Sequence, residues 1–259
     1  MATKFLWAEA SEQRPWAHSL DTLCTGAMVL GAVVAVAVAI RDSRFGVITN
    51  NFWYLMMGLA ETWKLAVLSF SLALCVGIVL ALARESRIRA FRSVAILYVE
   101  LLRNVPQLMV IFWVYFLVPS LTGRSIDAYV AAVIALTGCI SAYLAEVVRA
   151  GMASVAFGQI EAASSTGLTY LQTMRLIILP QAMRNMIPSL VNQFVSAFKT
   201  TSLVYIIGVI EFFRAATIVN ERDFKSEEVF AFVGAVYFIN CFCMSSAAKV
   251  LERRLRSND

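Results

Sequence analysis

An all-α, polytopic membrane protein is the fold class that three features of the sequence predict. Apolar residues make up 60% of the chain, against roughly 45–50% in an average soluble domain. Charged residues make up only 15%, where about 25% is usual. The apolar residues gather into six runs near the roughly 20 residues that a helix needs to cross about 30 Å of hydrocarbon. This much apolar surface excludes an ordinary soluble enzyme and a nucleic-acid-binding domain. The net charge of +5 then reads as an asymmetry between loops on the two sides of a membrane.

The first run, at about 20–40, has no charge between Asp21 and Arg41. Its apolar stretch of roughly 18 residues exceeds the 7–15 of a secretion signal, so it reads as an uncleaved helix. Further runs follow at about 52–83, 93–118, 126–149, 186–210 and 229–250. Pro106 is expected to kink the third of these. The five cysteines all lie inside apolar runs, where they act as small hydrophobes, and the single histidine, His18, has no ligand-type neighbour. No metal site is expected.

Placing both termini in the cytoplasm puts thirteen lysines and arginines on the inner side and six on the outer side. That bias favours this topology, although Arg41 and Arg44 oppose it locally. Between the fourth and fifth runs lies a long segment, 150–185, that is neither very polar nor a membrane span. Within it, Gly167 suits a helix C-cap where φ is positive. Thr169 followed by Gln172 has the form of a capping box. A second short helix is expected to start there and to break at Pro180. Two short helices in an L at the cytoplasmic face read either as a docking element or as a plain interfacial pair.

Glu161-Ala162-Ala163, then Gly167 after three residues and Ile177-x-Leu179-Pro180 after nine more, resembles the EAA loop of ATP-binding cassette importer permeases. Tyr98–Pro106, Ala142–Arg149, Gly158-Gln159, Leu179–Ala182 and Lys199–Leu203 extend the resemblance to the polar amino-acid branch of that family. The details around Leu179-Pro180, Thr201-Ser202-Leu203 and Phe212-Phe213-Arg214 resemble the glutamate/aspartate type. The similarity covers about 52–255, a permease core with the coupling loop at 150–185. Residues 1–51 are then an N-terminal segment with an extra helix.

The resemblance implies a bacterial inner-membrane protein whose pore is completed by a second permease, either a copy or a paralogue. ATPase subunits would dock on the cytoplasmic loops, and a periplasmic amino-acid-binding protein would deliver the solute. ATP and Mg belong to the partner: none of the 12 glycines is followed by lysine, so the chain lacks the phosphate-loop motif. No cofactor and no nucleic acid are implied for this chain, whose remaining partner is membrane lipid. The docking helix is expected over Gly158–Leu168, with Gly158, Gln159, Glu161, Ala162, Ala163 and Gly167 as coupling residues. Rival readings are another polar amino acid, such as glutamine or histidine, and an ion-coupled secondary transporter. The latter often shows two related halves, and no internal repeat is visible.

Charges inside the runs are the candidates for function, because a charge at mid-membrane is costly unless it faces a cavity or a partner. Lys199 stands about 13 residues into its run, followed by the hydroxyls of Thr200, Thr201 and Ser202. A cation there suits the carboxylate of a translocating amino acid. A structural ion pair with Glu100 or Glu146 is the alternative. The hydroxyls could bind solute or satisfy locally opened backbone. Glu100 with Arg103, and Glu146 with Arg149, are i,i+3 pairs that would partly neutralise themselves. Together with Pro106 they form a charge network that reads as a gate or as static helix-to-helix glue. Glu61 and Lys64 are expected to pair at the interface. The mixed-charge segment 211–228 reads as a solvated outer face or a docking surface for the binding protein.

Overall fold

A computed structural model describes residues 46–256, all of whose regular elements are helical. The expected helix at 20–40 lies outside the described residues. The elements are α1 (Gly46–Arg84), α2 (Arg89–Asn104), α3 (Gln107–Thr122), α4 (Ala128–Ala153), α5 (Phe157–Ser165), α6 (Tyr170–Ile207), α7 (Phe212–Asp223) and α8 (Ser226–Arg256).

The centre of the bundle is the pairing of α1 with α4. The face that α1 buries toward α4 is rich in small residues: Ser69, Ala73, Gly77 and Ala81. Opposite it, α4 presents Ala131, Ala135, Ser141, Ala142 and Ala145. In lipid there is no hydrophobic drive between helices, so close backbone approach through small residues supplies the packing energy. A Cβ added at Gly77 would stand 2.9 Å from the Leu144 Cβ and 3.1 Å from the Ser141 carbonyl oxygen. Gly77→Val is therefore expected to cost about 1–3 kcal/mol through overpacking. A lowered melting temperature of the purified protein checks this, and unchanged melting would mean that the helices part without cost.

Contacts fix the helix directions. Thr137 Oγ1 donates to the Ser69 carbonyl, Gly77 lies against Leu144, and Arg84 reaches Glu146, so α1 and α4 run the same way. Ile48 shares a core with Val229, and Trp63 Nε1 donates to Asn240 Oδ1, so α8 runs with them. α6 runs in the opposite direction: Met186 packs on Gly151, while Val204 and Ile207 join the core around Ala131 and Ala135. Parallel neighbours that both cross a bilayer need a return crossing between them. The α2–α3 pair supplies it, as one span bent by 110°. The α6–α7 pair bends by 47°, so the described residues hold three uninterrupted spans, and five with each bent pair counted as one.

Three expectations change here. Pro106 does not kink a continuous helix over 93–118 but separates two, with Val105 extended at φ −95°, ψ 138°. Pro180, by contrast, breaks nothing. Met174–Ile178 forms a π-turn in which the Leu179 N–H reaches the Met174 carbonyl, and the helix runs on through Pro180. The wider turn displaces the i−4 carbonyl that the proline ring would strike. The same arrangement precedes Pro119, where the Val118 N–H reaches the Trp113 carbonyl. Segment 211–228 is not merely a solvated face either. In it, α7 buries Phe212, Ala215, Ala216 and Val219 against Ile48, Leu55 and Phe232 in a separate core at the end of the bundle away from α5.

Candidate functional site

The face that α6 leaves open carries a polar stripe. Asn185, Ser189, Asn192, Ser196 and Lys199 recur every three or four residues, and all five are exposed in the single chain. At 1.5 Å per residue the stripe is about 21 Å long. Polar side chains at membrane depth face a water-filled cavity or a protein neighbour rather than acyl chains.

Lys199 stands at the upper end of this stripe. Its neighbour Phe198 packs on Trp63, with ring centroids 4.9 Å apart, and on Tyr237 at 5.7 Å, which places the level deep in the bundle. Among the described residues the Lys199 ammonium has no hydrogen bond or ion pair, and neither Glu100 nor Glu146 pairs with it. The hydroxyls beside it serve the helix. Thr200 donates to the Ser196 carbonyl, Thr201 to Phe198 and Ser202 to Lys199, where the α-helix tightens into the 3-10 turn Thr201–Ile207. Thr201 is fully buried, so of the three hydroxyl residues only Thr200 and Ser202 keep any exposed surface.

Nearer the α5 end, Glu146 is the hub of a charge cluster. Arg84 Nη1 donates to its Oε2 at 2.6 Å, and Arg149 forks onto its Oε1. Arg103 Nη1 approaches Oε2 at 3.7 Å. The Arg103 guanidinium also lies 5.8 Å over the Tyr143 ring. The expected pair Glu146–Arg149 forms. Glu100 and Arg103 do not pair: Arg103 turns toward Glu146, and Glu100 accepts from Asn104 Nδ2. The cluster therefore joins α1, α2 and α4, with Arg84 as a member that no local spacing announces.

The coupling loop begins with α5, a little shorter than the expected Gly158–Leu168. Gly167 has φ +76°. Its N–H reaches the Ser164 carbonyl and that of Leu168 the Ala163 carbonyl, the double closure of a Schellman cap. Thr169 and Gln172 form the full capping box at the start of α6. Gly158, Gln159, Glu161 and Ala162 are exposed, whereas Ala163 is 2% exposed and turned toward the chain's own bundle. Phe157, Tyr170 and Leu171 add bulky exposed side chains, each at least 70% open. The Glu61–Lys64 pair forms at 2.6 Å, on the exposed side of α1.

Sequence reasoning also missed Glu211. It is fully buried, and its carboxylate caps α7 by accepting from the Phe213 and Arg214 N–H groups. Thr62 Oγ1 and Tyr237 Oη reach it from α1 and α8. No N-cap rule announces it, because those rules name serine, threonine, aspartate and asparagine rather than glutamate.

The model of the family described as "Binding-protein-dependent transport system inner membrane component" matches residues 73–257. The chain is 36% identical to the glutamate/aspartate import permease protein GltK of Escherichia coli O6:H1, over 78% of this chain and 93% of that protein. It is 34% identical to the arginine transport system permease protein ArtQ of Bacillus subtilis, over 80% of this chain and 94% of ArtQ. A solved structure described as an amino acid ABC transporter with histidines superposes with a TM-score of 0.77 at 33% identity. It covers 80% of this chain and 96% of its own. The MetNI methionine transporter shares the fold, with a TM-score of 0.61 at 20% identity over 83% of this chain and 98% of its own. By the family model and these relatives together, the chain belongs to the binding-protein-dependent transport system inner membrane components and is a permease of an amino-acid ABC importer.

Proposed function

We propose that this permease carries an acidic amino acid, glutamate or aspartate, inward across the bacterial inner membrane. The α6 stripe ending at Lys199 is the observation that carries the reading. It offers an exposed polar route along an apolar bundle, with a cation at depth that makes no hydrogen bond or ion pair among the described residues. Such a cation attracts a carboxylate and repels a basic side chain, which disfavours an arginine-type substrate. The neutral-substrate reading, glutamine for instance, keeps one carboxylate and is the nearest rival. ATP-driven uptake by the reconstituted complex, with a panel of amino acids presented on the cognate binding protein, decides between them. Equal rates for glutamine and glutamate would remove the acidic preference.

Energy enters at the α5 end, on this reading, from partner ATPase subunits that hold ATP and Mg and seat the exposed side of α5. Gly158, Gln159, Glu161 and Ala162 line that side, and this end faces the cytoplasm. Copurification of an ATPase from native membranes separates this from an ion-coupled carrier. Because a residue with a β-branched side chain resists positive φ, Gly167→Val is expected to strain the Schellman cap by about 1–3 kcal/mol. Uptake per ATP hydrolysed should fall severalfold while the amount of assembled complex holds. Full coupling in that variant would show that the loop's turn carries no force.

A further inference from the structure

Between α2, α4 and α6, at the lower end of the polar stripe, lies a cavity of about 310 Å³. Arg103, Tyr143, Glu146, Ser154, Asn185, Ser189 and Gln193 line it. We infer that this cavity is a second solute station on the exit side of the path, built to hold the carboxylate of a zwitterionic amino acid on Arg103. The inference rests on the translocation reading above but names a site centred on Ser189, about 15 Å along the helix from Lys199.

Charge and hydrogen bonding point to the ligand. Glu146 faces three guanidiniums and Glu85 acts on Arg149 as a second acid, so the cluster carries one surplus positive charge. Arg84 and Arg149 occupy its two oxygens with direct hydrogen bonds. Arg103 sits outside hydrogen-bonding distance at 3.7 Å. Among the described residues its guanidinium has no hydrogen-bond acceptor, although its planar fork is shaped for a carboxylate. Across the cavity α6 presents neutral groups at positions 185, 189 and 193, one face of the helix. Asn185 Nδ2 donates to Ser154 Oγ at 2.8 Å, which leaves its carbonyl oxygen free to accept. That oxygen and the Gln193 amide can take an ammonium group. A cationic end and a carbonyl end within one small cavity match an amino acid's two charges. The volume sits at the low end of the roughly 300–1,000 Å³ typical of small-molecule sites.

The test uses the assembled transporter in inside-out vesicles, with the native cysteines replaced, Ser189→Cys introduced and Lys199→Met as background. A charged, membrane-impermeant thiol reagent labels the cavity, and free L-glutamate, L-glutamine or the carboxylate-free diamine putrescine competes. The station predicts ready labelling, protection by both amino acids and none by putrescine. Arg103→Gln should raise the half-protecting concentration about tenfold to a hundredfold, with protection in each variant normalised to its own labelling rate without competitor. Failure to label, labelling without protection, or protection that survives Arg103→Gln would each overturn the inference. Because Lys199 is absent throughout, loss of uptake in that background does not affect the readout. The upper site and the lower one can therefore fail separately.

Discussion

Lys199→Met should abolish uptake, or lower it by more than tenfold, while the complex assembles normally and the partner's basal ATP hydrolysis continues. Methionine keeps the length and the apolar bulk and removes only the charge. The group lost is a cation without a protein partner among the described residues, on the open face of α6 at the depth of Trp63 and Tyr237. A charged hydrogen bond contributes roughly 1.5–3 kcal/mol, which becomes about tenfold to a hundredfold in affinity. Lys199→Arg should rescue poorly, because the guanidinium is planar and wider than an ammonium. Since neither Glu100 nor Glu146 pairs with Lys199, neutralising either acid should not restore Lys199→Met. Wild-type uptake by the methionine variant would move the solute contact to the second permease.

The largest stability effect is expected at Glu146. Glu146→Gln leaves Arg84, Arg103 and Arg149 facing one another around an uncharged amide. Removing one partner of a buried ion pair costs about 3–5 kcal/mol. Glu146 retains 26% of its side-chain exposure, so the lower end, about 3 kcal/mol, applies. For a chain of this size that lowers Tm by roughly 6–12 °C, measurable in detergent. Glu100→Gln is the control: its exposed carboxylate only accepts from Asn104, and Tm should not move. If the two variants melt alike, water rather than protein neutralises the arginines.

How much of this was legible depended on whether each signal was local. The runs at 126–149 and 229–250 mark α4 and α8 because an apolar stretch of spanning length states its own purpose. Gly167 and the Thr169–Gln172 box were also readable, since a cap is decided within a few residues. The Arg84–Glu146 bond joins residues 62 apart, and no spacing rule reaches that far. The N-terminal extension of α1 back to Gly46 was hidden because Asn50 and Asn51 ended the apolar window. The helix nevertheless continues there, with Ile48 and Leu55 buried against α7 and α8. The polar stripe on α6 was masked by its neighbours, Leu190, Val191, Phe194 and Val195, which make the segment read as uniformly membrane-seeking. Glu211 looked like one more surface acid among several and proved to be a buried cap.

The two π-turns have a consequence for anyone reading phase along this chain. An α-helix keeps angular time at about 100° per residue, and a π-turn drops one beat. Counting back from Lys199 at the α-helical step therefore assigns Tyr170 and Leu171 to the wrong side by about a full residue. The inserted residue is what lets the start of α6 face the α5 side while its later turns face the open groove. Of two chains of this fold that differ by one residue within Met174–Ile178, only the longer keeps Pro180 in an unbroken rod. Deleting that residue would rotate the whole loop against the groove, like a gear slipped by one tooth.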